Sequence, residues 1–281
     1  MGDYFRPTTL SELEGLLTRG NLTVLAGGTD YYPAKVGKLL GEDILDITAV
    51  DGLRGIQKTK EGWRIGATTR WSDITRSDLP PLFDGLKAAA REVGGQQIQN
   101  SGTIGGNLCN ASPAADGVPA LLSLGADVEI SGPTGMQRLP LETFILGNRK
   151  TTLEKTEILS ALHIPNPLFE KAYGAFLKLG SRKYLVISLV MVAGTFCLDA
   201  EGRLADCKIS VGACSEVAKR LERLEQDLIG AFPTDDLAGY VVDTHLADLS
   251  PIDDVRATAE YRLEVAKTLV QRMLSEWGET V

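Results

Sequence analysis

The chain has 281 residues, of which 43% are hydrophobic and 23% are charged, an ordinary composition for a soluble globular protein of one or two domains. Its 37 acidic residues outnumber its 29 basic residues, and the net charge of -8 disfavours a nucleic-acid binder, because a phosphate backbone requires a basic surface. Four cysteines without a Cys-x-x-Cys pair, with only two histidines, predict no zinc or iron-sulfur site.

The N-terminus gives no indication of export. Residues 1–6 lack the apolar segment of a secretory signal, and the chain contains no run of 18 apolar residues. We therefore expect a cytoplasmic protein without membrane insertion, although a partner in a complex could carry an export signal.

Hydrophobic periodicity predicts a first α/β unit over residues 1–55. Ser11 and Glu14 have the spacing of a capping box, at the start of a helix with one leucine-rich face. Its other predicted elements are, in chain order, a strand at 23–25, a glycine loop, a helical turn near Tyr31 and a strand at 44–47. The polar stretch 51–62 is expected to separate this unit from the next.

A second α/β unit is predicted over residues 56–167, ending at the Pro165-Asn166-Pro167 run. Its predicted elements are a strand at 63–67, a helix at 82–93, a helix at 118–124, a hairpin of strands at 127–130 and 137–141, and a strand at 158–164. The helix at 82–93 is expected to stop at Gly94-Gly95 and to lead into a long loop.

The third predicted unit covers residues 168–281. Its predicted elements are strands at 173–178, 189–198 and 207–211, followed by helices at 216–229 and 254–277. The last helix has apolar residues at a period of 3.6, which favours packing on the third sheet; a partner interface is the alternative.

The stretch from Ser101 to Pro119 contains four glycines, two prolines and two asparagines, and this composition predicts a tight loop. In the run Gly105-Gly106-Asn107, successive backbone N–H groups can form a concavity that holds an anion such as a phosphate ester. A plain surface turn is the alternative interpretation. Cys109 lies inside this stretch and could lie near a ligand bound there, whereas the other cysteines are expected to be buried hydrophobes.

A second run of the same kind is Leu25-Ala26-Gly27-Gly28-Thr29-Asp30, which follows the strand at 23–25. Two such loops could hold the two phosphates of one dinucleotide. Neither loop matches the Rossmann fingerprint or the P-loop, so a phosphate site here would belong to another class.

These motifs resemble the FAD-binding subunits of the molybdenum hydroxylase family, which includes xanthine dehydrogenase, aldehyde oxidoreductase and carbon monoxide dehydrogenase. The resemblance extends over nearly the whole chain, and the order and spacing of the motifs make it specific. The matching segments are residues 5–7, 26–30, 103–107, 111–116, 139–144, 157–159 and 259–262. It implies an α+β fold of the vanillyl-alcohol-oxidase type, with two α/β subdomains that hold FAD between them and a C-terminal domain of a small antiparallel sheet with helices.

The resemblance also implies a set of FAD-binding residues. These are Leu25, Ala26, Gly27, Gly28, Thr29, Asp30, Thr103, Ile104, Gly105, Gly106, Asn107, Asp116, Leu159 and Lys178. The backbones of the two glycine loops would bind the pyrophosphate, and the hydroxyls of Thr29 and Thr103 would add hydrogen bonds.

Three residues outside the glycine loops have separate implied roles. Asp116 would accept a hydrogen bond from the adenosine half of FAD, and a turn-stabilising aspartate is the alternative. Leu159 would lie against the cofactor. Lys178 would stabilise an anionic reduced flavin, and a solvated strand lysine is its alternative.

One departure from the family pattern concerns residues 182–188. Many relatives follow an Arg-Arg or Arg-Lys pair with an acidic residue and Ile-Ala, but here Arg182-Lys183 is followed by Tyr184-Leu185-Val186-Ile187-Ser188. The missing acidic residue bears on access to the flavin ring, and therefore on the electron acceptor.

The implied function is electron transfer in a heterotrimer. FAD would take electrons from a [2Fe-2S] partner subunit, next to a large molybdopterin-binding subunit, and pass them to NAD, a quinone, oxygen or another small acceptor. No catalytic or metal-ligating residue is expected in this chain. The alternatives are a subunit in which FAD has only a structural role, and a stand-alone flavin reductase of the wider superfamily.

Overall fold

The computed structural model describes residues 2–37 and 41–281. The elements of the N-terminal unit are β1 (Tyr4–Phe5), α1 (Leu10–Leu17), β2 (Thr23–Leu25), α2 (Tyr31–Ala34) and β3 (Ile44–Asp46). The three strands form a sheet of order β1-β3-β2, in which β3 pairs in parallel with both neighbours. The predicted strands and helical turn are confirmed, and β1 is an additional strand.

Helix α1 begins earlier than its predicted cap. Its N-cap is Thr9, whose hydroxyl accepts from Glu12 N at 3.3 Å, while the Glu12 carboxylate accepts from Thr9 N at 3.3 Å. This capping box lies two residues before the predicted Ser11 and Glu14 pair, because the extended backbone needed at an N-cap is found at Thr9.

The second unit is built around a five-stranded antiparallel sheet. Its elements are β4 (Ile56–Lys58), β5 (Gly62–Gly66), α3 (Trp71–Arg76), a 3-10 turn (Pro81–Phe83), α4 (Asp84–Glu92), α5 (Gln96–Ser101), α6 (Ile104–Asn110), α7 (Gly117–Ser123), β6 (Asp127–Gly132), β7 (Gly135–Pro140), α8 (Leu141–Phe144), β8 (Ile145–Gly147), β9 (Lys150–Thr151) and β10 (Ile158–Pro165). The strand order is β4-β5-β10-β6-β7, and β8 and β9 form a separate hairpin. Helices α3, α5 and α8 and strands β4, β8 and β9 were not predicted, and β4 lies within the stretch 51–62 that was expected to be a polar separator.

The predicted tight loop at 101–119 is wrong in one respect, since it contains the helix α6 and the start of α7. Thr103 caps α6, because its hydroxyl accepts from Gly106 N at 3.1 Å and so supplies a partner that the first helical turn lacks. Pro119 is the third residue of α7, where a missing N–H costs no helical hydrogen bond. Short helices therefore form in this stretch despite its glycine and proline residues, because Thr103 caps α6 and Pro119 lies in the first turn of α7.

The C-terminal unit is a four-stranded antiparallel sheet covered by helices. Its elements are β11 (Lys171–Gly180), β12 (Ser188–Leu198), β13 (Leu204–Gly212), β14 (Lys219–Arg220), α9 (Glu222–Leu228), two 3-10 turns (Leu237–Tyr240 and Asp243–Leu246) and α10 (Ala259–Thr280). Helix α10 packs on the sheet, with the rings of Phe196 and Trp277 stacked at a centroid distance of 4.3 Å. The predicted packing of the last helix on this sheet is confirmed.

Both C-terminal helices are shorter than predicted. Residues 216–221 do not join α9, because Lys219 and Arg220 pair with β13 as an edge strand. Helix α10 begins five residues later than predicted, at Ala259, because Thr258 is its N-cap. Within residues 2–37 and 41–281, no helix has the length and apolarity needed to cross a membrane.

Candidate functional site

A cleft of about 640 Å³ is lined by residues of both the N-terminal and the second unit. The first glycine loop (residues 25–30) and the second glycine loop (residues 103–107) both line it. The residues of the implied FAD site that line the cleft are Leu25, Ala26, Gly27, Gly28, Thr29, Asp30, Thr103, Gly105, Gly106, Asn107 and Leu159. The structure therefore brings together two runs that are far apart in the chain.

Three residues of the implied site do not line this cleft. Ile104 is fully buried and belongs to the core of the second unit. Asp116 and Lys178 pair with each other, with 2.8 Å between Lys178 Nζ and Asp116 Oδ2 and side chains only 9% and 6% exposed.

Gly27 of the first glycine loop lies against Ser101 and Gly102, the two residues that directly precede the second glycine loop. A side chain there would place its first carbon 2.2 Å from Ser101 O and 2.8 Å from Gly102 Cα, so only glycine permits the approach. Gly28 has φ +70°, in the left-handed region that favours glycine. Close approach and backbone conformation thus explain the two successive glycines.

The backbone N–H groups of the first glycine loop are free to bind a ligand. Within the described part of the chain, no protein acceptor lies within hydrogen-bond reach of the N–H groups of residues 26–30. A run of unpaired N–H groups at the end of a strand is a typical anion-binding arrangement. The predicted role of this loop is therefore compatible with its geometry.

The second glycine loop differs in this respect. The N–H groups of Ile104, Gly105 and Asn107 donate to Thr69 O, Ala67 O and Thr103 O at 2.8 to 3.0 Å, and Gly106 N donates to the Thr103 hydroxyl at 3.1 Å. The N–H groups at Gly105-Gly106-Asn107 are therefore already used by α6 and the neighbouring strand end, and phosphate binding by this loop stays a prediction. What this loop leaves without a partner is a side-chain atom, the buried Asn107 Oδ1.

Apolar side chains line another part of the cleft. They are Ile47, Ala67, Trp71, Val93, Ile98, Leu153, Ile158 and Leu159. Leu159 lies at a register shift between β10 and β6, and Val93 directly follows α4. This combination of an apolar wall and a polar loop suits a ligand with a flat ring and an anionic group.

Among the described residues, two cations line the cleft, and sequence reasoning missed both. Lys35 is already paired, since its Nζ lies 2.5 Å from Glu42 Oε1, and the Lys35 and Tyr31 partners lower the pKa of Glu42 to about 2. Arg149 has no ion-pair partner among the described residues and is held in the β8-β9 turn with φ +56°. The Gly-Asn sequence before Arg149 indicates a turn, but it does not indicate that the turn faces a cleft.

Cys109 lines the cleft, as expected for the cysteine of the long loop. Its side chain is reachable from the cleft, yet the crowded protein around it raises the pKa of the thiol to about 12. A thiol in this state is a poor nucleophile. In the described ranges, no cluster of three His, Cys, Asp or Glu side chains could hold a metal ion.

The segment with the missing acidic residue borders a second cavity of about 310 Å³, lined by Glu92, Lys178, Leu179, Gly180, Arg182, Lys183 and Val186. Arg182 is folded back on its own loop, where its Nε donates to Leu185 O at 3.2 Å. Tyr184, Leu185 and Ile187 are more than half exposed. Lys178, which does not line the main cleft, lines this one.

Two family models match the chain in succession. Residues 1–167 match the FAD binding domain in molybdopterin dehydrogenase, and residues 175–277 match the CO dehydrogenase flavoprotein C-terminal domain. Among curated proteins, a putative xanthine dehydrogenase FAD-binding subunit of Escherichia coli (strain K12) is 32% identical over 97% of this chain and 94% of its own length. The glyceraldehyde dehydrogenase medium chain of Sulfolobus acidocaldarius is 30% identical over 97% of both chains.

Solved structures have the same architecture over the whole length. Carbon monoxide dehydrogenase from Hydrogenophaga pseudoflava gives a TM-score of 0.86 at 27% identity and covers 97% of this chain and 96% of its own. Quinoline 2-oxidoreductase from Pseudomonas putida 86 gives 0.87 at 25% identity, over 100% and 98%. The expected fold, with an FAD-binding part and a C-terminal part that contains a small antiparallel sheet, is confirmed.

Proposed function

This chain belongs to the FAD-binding subunits of the molybdenum hydroxylase family, and we propose that it holds FAD in the cleft between residues 1–55 and 56–167. The family makes it an electron-transfer subunit of an oxidoreductase. This position of FAD is supported by one observation: the backbone N–H groups of the first glycine loop have no protein acceptor among the described residues.

The cleft fits FAD in volume and chemistry. Its 640 Å³ lies within the range of about 300 to 1,000 Å³ typical of ligand sites. The N–H groups of residues 26–30 would hold the pyrophosphate, and Arg149 would supply a positive charge that no described carboxylate neutralises. Trp71, Val93 and Leu159, which line the apolar part of the cleft, would lie against the isoalloxazine ring.

When bound, FAD supplies the redox chemistry, accepting electrons from one centre and passing them to another. The residues of this chain position the cofactor, exclude water from the apolar part of the cleft and set the local charge. Asp116 and Lys178 would contribute to the local charge as a neutral ion pair that lies behind the apolar wall of the cleft. We propose no acid, base or nucleophile in this chain. The raised pKa of the Cys109 thiol is consistent with this, because a protonated thiol is a poor nucleophile.

The partners follow from the family. Related chains are named as medium chains or subunits of larger dehydrogenases. We propose that an iron-sulfur subunit with [2Fe-2S] clusters and a large molybdopterin-binding subunit complete a heterotrimer here, and that a small molecule accepts the electrons. The four cysteines of the described chain are free thiols, which supports a reducing compartment and therefore a cytoplasmic location.

Co-expression of this chain with its partner subunits tests the proposal. The purified complex should release FAD on denaturation, and its substrate should reduce the flavin only while the partners are present. A flavin that stays oxidised during turnover would indicate a structural cofactor instead. Rapid reduction of the isolated chain by NADPH would indicate a stand-alone reductase, and an assembled complex that contains no FAD would refute the proposal.

A further inference from the structure

A buried cluster of three side chains joins the second unit to the C-terminal sheet. Asp116 precedes α7, Lys178 lies on β11 and Ser188 begins β12. Lys178 Nζ donates to Asp116 Oδ2 at 2.8 Å, and Ser188 Oγ donates to Asp116 Oδ1 at 2.6 Å. Each carboxylate oxygen therefore has its own donor, one charged and one neutral.

This cluster lies directly behind the apolar part of the cleft. Asp116 is followed by Gly117, where a side chain would place its first carbon 2.5 Å from the Trp71 ring. Lys178 Nζ lies 3.4 Å from Glu92 O, and Glu92 is followed by Val93. Trp71 and Val93 both line the cleft, so two separate contacts connect the cluster to its apolar wall.

We propose that Ser188 is a positioning residue for the cofactor: it keeps Asp116 ionised and paired with Lys178. The cluster behind the apolar wall of the cleft then presents no net charge to the flavin ring bound in front of that wall. The inference rests on the proposed binding of FAD in the cleft and deepens it. It assigns a role to Ser188, to which the family resemblance gave none.

The surroundings show why the ionised form needs this support. Burial raises the pKa of Asp116 above its ordinary value, and the nearby charge of Glu92 raises it further. Lys178 and Ser188 oppose that rise, because both donate hydrogen bonds that favour the carboxylate. Lys178 on β11, Ser188 on β12 and Glu92 on α4 are the groups that act on this carboxyl.

The charge of the cluster has a predictable effect on the flavin. Protonation of Asp116 leaves the positive charge of Lys178 uncompensated, which favours the negative charge that reduction places on the ring and raises the midpoint potential. Removal of the Ser188 hydroxyl raises the pKa of Asp116. Between the wild-type and variant pKa values, Asp116 is then ionised in the wild type and protonated in the variant.

The experiment measures the flavin midpoint potential of the assembled complex as a function of pH. Ser188→Ala should raise the potential only in a pH window, and the difference from wild type should disappear above and below it. Ser188→Thr keeps the hydroxyl and should restore the wild-type profile. Asp116→Asn should raise the potential and remove the window, because Asn does not titrate.

Ser210→Ala is the matched control. Ser210 is another buried serine of the C-terminal sheet, and its hydroxyl donates to Pro119 O at 2.7 Å without touching Asp116. This variant should lose a similar hydrogen bond and leave the potential unchanged at every pH. Equal profiles for Ser188→Ala and wild type, or equal shifts for Ser188→Ala and Ser210→Ala, would overturn the inference.

A readout without the cofactor separates this inference from the proposed function. In flavin-depleted protein, Ser188→Ala should lower thermal stability more at high pH, where Asp116 is ionised, than at low pH, while the loss in Ser210→Ala should not depend on pH. Equal pH dependence of the two losses would refute the role of Ser188. A wild-type complex without FAD would refute the proposed function instead, and this second readout would still test the cluster.

Discussion

The two glycine loops have similar sequences and different structural roles. In the first, Gly27 and Gly28 serve close approach and a left-handed backbone, and the N–H groups of residues 26–30 have no described protein acceptor. In the second, the amides of residues 104–107 are all engaged inside the protein. A glycine-rich motif thus indicates a place where backbones come close. Whether such a loop can hold an anion depends on how many of its backbone N–H groups lack a protein acceptor.

The largest expected effect comes from Gly27→Ala. The new carbon would lie 2.2 Å from Ser101 O, so the first loop must move away from residues 101–102, and its N–H groups move with it. We expect FAD affinity in the complex to fall about 10- to 100-fold, from a strain of about 1 to 3 kcal/mol.

Gly15→Ala is the control for Gly27→Ala. Gly15 is an exposed glycine of α1 in the same unit, and a side chain there would meet nothing within 4 Å. Alanine should slightly stabilise that helix and leave FAD content unchanged. Full FAD binding by Gly27→Ala would show that the contact of Gly27 with Ser101 and Gly102 does not matter to the site.

Gly105→Ala tests the scaffold role of the second loop. The added carbon would lie 2.7 Å from Ala67 Cβ and 2.8 Å from Ala67 O, in the packing of α6 on the sheet. We expect thermal stability of the flavin-depleted protein to fall by about 1 to 3 kcal/mol. A variant that keeps its stability but loses FAD would assign the second loop the role that we give to the first.

Arg149→Gln should have a moderate and specific effect. It removes the cleft cation that has no described ion-pair partner, while the exposed turn keeps its shape. We expect FAD affinity to fall about tenfold, as for the loss of a charge-assisted hydrogen bond, with stability unchanged. Lys150→Gln removes the neighbouring charge, which does not line the cleft, and should have no effect; equal losses would show that only net charge matters.

Thr103→Ala should have the smallest effect on the cofactor. The Thr103 hydroxyl caps α6 through Gly106 N, so its loss should destabilise the flavin-depleted protein by about 1 kcal/mol in thermal unfolding. Thr103→Ser should restore the cap. A large loss of FAD without a loss of stability would contradict the capping role and favour the direct hydrogen bond implied by the family resemblance.

Much of the fold could be predicted from sequence, because the buried strands and helices have clear periodic patterns. The core of β12 and the apolar face of α10 are examples in which burial and local pattern agree. Boundaries were less accurate, since caps such as Thr9 and Thr258 depend on backbone conformation. The short helix α6 was missed because glycine-rich composition outweighed the cap at Thr103.

The site was only partly predictable for a related reason. Glycine composition indicated both loops, but the contact between Gly27 and Ser101 and the internal pairing of residues 104–107 depend on tertiary structure. Arg149 and Ser188 have no motif of their own. Their proposed roles depend on what they face in the folded chain: Arg149 faces the open cleft, and Ser188 faces the buried Asp116 carboxylate. A local sequence pattern does not contain that information.

Amide hydrogen exchange in the assembled complex, with and without FAD, tests the difference between the loops most directly. The amides of residues 26–30 should exchange rapidly in flavin-depleted complex and become protected when FAD is restored, whereas those of residues 104–107 should be protected in both states. Unchanged exchange at 26–30, with new protection at 104–107, would contradict the account and place the phosphates on the second loop.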